Sequence, residues 1–183
     1  KEGASKDEVM RLLHQHRLER LLVIDKKDTL KGLITVKDIQ KSSDHPNACK
    51  DHDERLRVAA AVGVGDDMLY RVCEGVAAGA TFVCVDVAHG HHIMMKEALG
   101  TIRDAIGDDL HIMAGNVATL KAINDLADWG ANSVRCNIGG GSICSTRVQT
   151  GHGHPGLQTI IDCAYTDRDV KIIADGGIRN SGD

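Results

Sequence analysis

"TFVCVDVAHG", Thr81–Gly90, is an apolar run that ends on a carboxylate, a histidine and a glycine. It reads as a buried strand with a polar exit. The segment after it, "MMKEALGTIRDAIG" (94–107), has helical spacing, and "HIMAGNV" (111–117) returns to a strand. Outward from this core the rhythm repeats. "RVAAAVGVG" (57–65) and "DDMLYRVCEGVAAGA" (66–80) precede it as strand and helix. "LKAINDLADWG" (120–130), "SVRCNIGGG" (133–141), "GLQTIIDCAY" (156–165) and "VKIIADGG" (170–177) follow as helix, strand, helix and strand, with a long loop after the glycine run. Alternating strand and helix calls for a parallel sheet. Each strand ends in polar or glycine-rich residues: "DVAHG", "GNVAT", "IGGGS", "DGGIRN". A doubly wound sheet concentrates its site at one switch point. Chemistry at the ends of successive strands is the mark of a (β/α)8 barrel, of which about five of eight strands are visible. The expected fold is therefore α/β, a partial (β/α)8 TIM barrel over residues 57–183, with further strands expected on both sides.

The first stretch reads differently. Val9, Leu12, Leu13 and His16 fall at helical spacing, with Ser5 and Glu8 placed as an N-terminal capping pair. "LLVID" and "GLITV" are short strands across the polar turn "KKDTLKG", and "KDIQKS" starts a closing helix. That order over residues 1–43 resembles the C-terminal part of a CBS module, a type that commonly binds adenine or guanine nucleotides. Residues 44–56, polar and carrying Pro46, read as a linker.

Composition narrows the function. The formal charge of −4 at neutral pH offers no broad basic field, so nucleic acid is not an expected partner. No membrane-length apolar run or signal peptide is present, and six dispersed cysteines without a CxxC pair suit reduced thiols in a cytoplasmic protein. Aromatic residues make up only 2%, so aliphatic side chains must build the core. The histidine clusters "HGHH" (89–92) and "HGH" (152–154) lack the HExxH spacing of a zinc site and read as loop histidines. Val62–Gly65 lacks the GxGxxG spacing of a dinucleotide fingerprint.

Cys144 follows the glycine run of "GGGSICSTR" (139–147). Glycines allow close backbone approach and positive φ, so amides can converge on one ligand. A thiolate near such amides is stabilised and nucleophilic. Gly176 and Gly177 offer unobstructed N–H groups for a phosphate. In isolation, a buried structural cysteine is the commoner explanation of such a loop.

The loop is one of an ordered series: "NACKDHDERLRVAAAVGVG", "VDVAHGH", "AGNVAT", "IGGGSICSTR" and "IADGGIRNSGD". The series resembles the inosine monophosphate dehydrogenase/guanosine monophosphate reductase family, in which a CBS pair is inserted into a (β/α)8 barrel. The resemblance implies that Cys144 attacks C2 of the purine of a nucleoside monophosphate, with Thr146 handling a proton nearby. It implies that Ser142, Gly176 and Gly177 serve the phosphate and that Asp175 holds the ribose hydroxyls, a role its acceptor-only carboxylate suits. Asn116 would lie near the reacting rings, Arg135 matches a basic, substrate-binding position before the catalytic loop, and Asp86 would face the nicotinamide nucleotide. Backbone carbonyls of Gly139, Gly141 and Cys144 would hold a potassium ion, and the whole protein would be a homotetramer.

Two reactions share this machinery. In the first, IMP is oxidised with NAD to xanthosine monophosphate; in the second, GMP is reduced with NADPH to IMP and ammonia. "DGGIR", the 47–65 entry and the CBS-like segment lean to the dehydrogenase, which is the first expectation. "DVA", "IMAGN" and "TRVQTGHGHPGLQTIIDCA" lean to the reductase. Val87 stands where the dehydrogenase has serine, and Asn137 replaces a small glycine and is expected to crowd the nicotinamide pocket. A different class, a non-catalytic nucleotide-sensing fragment, is the remaining alternative.

Overall fold

The computed structural model describes residues 3–183, which fall into two compact units, one ending at Leu56 and the other spanning Arg57–Asp183. In the first, helix α1 (Lys6–His16) begins where the Ser5 side chain accepts from the Glu8 N–H, and stops at Arg17, whose left-handed backbone returns its N–H to the helix. Strands β1 (Arg20–Ile24) and β2 (Leu30–Thr35) pair antiparallel. The Asp25 carboxylate accepts from the Lys27 and Thr29 N–H groups at 2.8 and 2.9 Å and so fixes the turn between them. Helix α2 (Val36–Asp44) follows a reciprocal cap between Thr35 and Asp38. Residues 44–56, read as a linker, contain a turn. Asp51 accepts from the N–H groups of Asp53 and Arg55, both at 2.9 Å, which lets Glu54 adopt φ +62°.

The second unit is an all-parallel sheet in sequential order, β3 (Ala59–Val62), β4 (Phe82–Asp86), β5 (His111–Val117), β6 (Ser133–Cys136) and β7 (Lys171–Ala174). Helices α3 (Met68–Ala77), α4 (Ile93–Ile106) and α5 (Leu120–Asp128) fill the first three crossovers. The fourth holds α6 (Thr146–Thr150) and α7 (Gly156–Cys163). The order never reverses, so there is no switch point, and the sheet is a partial (β/α)8 barrel. The core is aliphatic: Val83, Val85, Ile112 and Val134 from the strands meet Leu99, Ile102, Ile123 and Leu126 from the helices, all with no exposed surface. Burying each such side chain contributes about 1.5–3 kcal/mol. α6 is the one element that periodicity does not announce. Its five residues, TRVQT, are too few and too polar to show an apolar stripe.

Candidate active site

The carboxyl ends of β4 to β7 bring Asp86, Asn116, Arg135 and Asp175 together around one guanidinium. Arg135 reaches Asp175 at 2.9 Å and Asp86 at 3.3 Å, and donates to the Cys84 sulfur at 3.6 Å. Asn116 donates to the same Asp175 oxygen at 2.7 Å and to the Asn137 carbonyl at 2.9 Å. The ladder between β5 and β6 slips between Gly115 and Val117, the kind of irregularity that re-aims a side chain at a strand end. Close packing underlies this convergence, because a Cβ on Gly115 would lie 2.8 Å from the Arg135 Cβ.

The network sets the charges. Burial works against the Asp175 carboxylate, but hydrogen bonds from Asn116 and Arg135 outweigh it and hold the group below the usual carboxylate range. Burial likewise works against the Arg135 cation, and its bonds to Asp175 and Cys84 more than reverse that. The site therefore holds a fixed cation between two carboxylates.

Cys144 faces this network. A cavity of about 180 Å³ is lined by Asp86, Val87, Asn116, Arg135, Cys144 and Thr146, among others. The Cys144 thiol lies 3.4 Å from the Thr146 hydroxyl. Hydrogen bonds from the Thr146 hydroxyl and N–H, with help from the Arg147 charge, hold its pKa below that of an ordinary thiol. Burial has the opposite effect on Cys136 and Cys163, whose thiols are pushed up. Of these three thiols, Cys144 alone is shifted toward the thiolate.

A second cavity, of about 340 Å³, opens beside it and is lined by Asn137, Gly140, Gly156, Asp175, Gly176 and Gly177, among others. Here the two glycine turns interlock. Gly176 and Gly177 have φ +73° and +80°, and a Cβ on Gly177 would lie 2.6 Å from the Gly140 oxygen. Only glycine meets both demands.

Ser142 is exposed and lines neither of these two cavities. Asn137 lines both cavities, and its side-chain amide lies against Gly140 and Gly156 and donates to the Asp175 and Gly176 carbonyls. Arg147 is a residue that sequence reasoning passed over. Its stem lies between Gly139 and Gly153, where a Cβ on either would approach its Cγ to 2.6 and 2.7 Å. The signal was the paired glycines on both sides of an arginine.

The histidine clusters have structural partners. His91 bonds Asp125 at 2.7 Å and stacks on Trp129, His92 caps α4, and His154 bonds the Thr159 hydroxyl at 2.8 Å. Among the described residues, no group of three or more His, Cys, Asp or Glu is placed to hold a metal ion, and no helix is long and apolar enough to cross a membrane.

Residues 19–183 match the family model of the IMP dehydrogenase / GMP reductase domain. An inosine-5′-monophosphate dehydrogenase of Haemophilus influenzae is 49% identical over 185 residues, covering 100% of this chain and 38% of the relative. One from Chlorobaculum parvum is 49% identical over 94% of this chain and 35% of its own length. Among solved structures, GMP reductase from Trypanosoma brucei superposes with a TM-score of 0.81 at 34% identity, covering 100% of this chain and 41% of that one. Its complex with guanosine 5′-monophosphate gives 0.79 at the same 34% identity, covering 100% of this chain and 38% of that one. The chain thus spans about two fifths of the length of these relatives.

Proposed function

The chain belongs to the IMP dehydrogenase / GMP reductase family, and on that premise we propose that Cys144 is the nucleophile of a purine nucleoside monophosphate oxidoreductase. The observation that carries this is the depressed thiol beside Thr146, on a cavity shared with Asp86, Asn116 and Arg135. The Cys144 thiolate adds to C2 of the ring, and Thr146 moves the associated proton. Asp175 accepts from the ribose hydroxyls, held in place by Arg135 and Asn116. The N–H groups of Gly176 and Gly177 receive the 5′-phosphate, with Ser142 at the outer edge.

The nicotinamide cofactor supplies or takes the hydride. Asp86 and Asn116 would face it, and the Asn116 Oδ1, buried without a hydrogen-bond partner, suits a ligand that brings an N–H donor. The carbonyls of Gly139, Gly141 and Cys144 would hold potassium. Backbone oxygens are fitting donors for that ion. The Gly141 oxygen accepts one bond, from the Cys144 N–H at 3.2 Å, and keeps a second lone pair. Homotetramer formation, a cytoplasmic setting and a CBS identity for the first unit belong to the same proposal.

For the direction, we put the reductive reading first: GMP to IMP and ammonia with NADPH. The fold likeness to GMP reductase over the whole chain supports it, as do the "DVA" and "TRVQTGHGHPGLQTIIDCA" segments. The oxidative reading, IMP to xanthosine monophosphate with NAD, is the second, supported by relatives at 45–49% identity. The discriminating test gives the protein GMP with NADPH, and separately IMP with NAD, and follows the absorbance of reduced cofactor. Consumption in the first assay alone selects the reductase, and production in the second alone selects the dehydrogenase. Turnover of neither substrate, or full turnover by Cys144→Ala, contradicts the catalytic proposal and favours the nucleotide-sensing alternative.

A further inference from the structure

Asn137 is costly where it stands. Its φ is +134°, a region that glycine occupies freely and asparagine does not. It is 6% exposed, and its Oδ1 has no hydrogen-bond partner. Glycine at this position would remove both the strain and the unsatisfied oxygen. Strain and an orphaned acceptor retained together mark a residue held for what it does.

What it does is visible in its bonds. Its Nδ2 donates to the Asp175 carbonyl at 2.6 Å and to the Gly176 carbonyl at 3.2 Å. Its own N–H donates to the Val117 carbonyl at 3.0 Å, and its carbonyl accepts from Asn116 at 2.9 Å. The amide fills the space against Gly140, where a Cβ would lie 2.7 Å from its Cγ. One side chain thus joins the end of β6, which leads into the Cys144 loop, to the turn after β7. The peptide unit is planar and trans, so pinning the carbonyls of Asp175 and Gly176 directs the N–H groups of Gly176 and Gly177 away from Asn137. Those N–H groups have no partner among the described residues.

We propose that Asn137 is a positioning residue that fixes the Asp175–Gly177 turn for the 5′-phosphate and registers it against the Cys144 loop. This rests on the reading of the site given above. Releasing the two carbonyls lets the turn lose its aim, so the phosphate's contribution to binding falls while contacts to the base and ribose persist.

The test measures protection of Cys144 from iodoacetamide by IMP and, separately, by inosine, in wild-type protein and in Asn137→Gly, alongside thermal midpoints. The half-protecting concentration of IMP is expected to rise at least tenfold in Asn137→Gly, that of inosine to stay within twofold, and the midpoint to hold or rise. Asn137→Asp, which replaces the donor with a carboxylate facing two carbonyls, is expected to lose the IMP effect and also to melt lower. Equal protection of wild type and Asn137→Gly by IMP overturns the inference and leaves the assignment of the site intact. A parallel loss for IMP and inosine, or a lowered midpoint in Asn137→Gly, also overturns it, because the residue is then merely structural. Absence of protection by IMP in the wild type overturns the inference together with the proposed function.

Discussion

Replacing Arg135 with glutamine tests whether one guanidinium organises the strand ends. The wild-type side chain spans Asp175 at 2.9 Å and Asp86 at 3.3 Å, with 23% of its surface exposed. A hydrogen bond between charged groups contributes about 1.5–3 kcal/mol, and partial exposure of Asp175 places this one toward the lower end, about 2 kcal/mol. The longer contact to the more exposed Asp86 adds little. At about 1.36 kcal/mol per factor of ten, kcat/KM for the nucleotide falls about 30-fold. The sign with pH follows from the same contact. Asp175 is held below the ordinary carboxylate range partly by Arg135, so losing the cation raises its pKa. The acid limb of the kcat/KM profile therefore moves to higher pH in the variant. Arg135→Lys keeps the charge without the fork and falls between the two. The assay is steady-state turnover of the competent nucleotide across pH. If Arg135→Gln stays within threefold of wild type and its acid limb does not move, the bridging role is wrong.

The remaining expectations concern the thiol, the glycine turn and the core. Alkylation of Cys144 by iodoacetamide rises with pH through a midpoint below that of an ordinary free cysteine, and Thr146→Val moves that midpoint upward because the thiolate loses its hydroxyl donor. Gly177→Ala places a methyl 2.6 Å from the Gly140 oxygen at φ +80°, so nucleotide KM rises more than tenfold in a titration of initial rates, with stability lowered by about 1–3 kcal/mol. Leu99→Ala on α4 empties a fully buried site away from the chemistry. It costs about 2–5 kcal/mol, seen as a lowered thermal midpoint with kcat retained at temperatures where the protein is folded.

The alternation of strand and helix was legible because each strand is a short apolar run with a polar exit, and the sheet kept that order without reversal. The convergence of Asp86, Asn116, Arg135 and Asp175 followed from their places at strand ends, since a barrel brings those ends to one rim. What escaped was set by contacts distant in sequence. Arg147 influences Cys144 because Gly139 and Gly153 admit its stem, a contact that the flanking glycines permit but do not specify. The orientation of Asn137 depends on a positive φ and on carbonyls 38 and 39 residues away. Ser142, exposed outside both cavities, is assigned to the phosphate by its motif alone.

The central claim is a bond between the Cys144 sulfur and purine C2. Its most direct test is acid quenching of the protein during turnover, followed by digestion with trypsin and mass spectrometry of the peptide Cys136–Arg147. That peptide carries two cysteines, so fragmentation must place the added mass. A nucleotide-sized adduct on Cys144, absent without substrate, is the expected result. Sustained turnover with Cys144 unmodified, or an adduct placed on Cys136, would contradict the account.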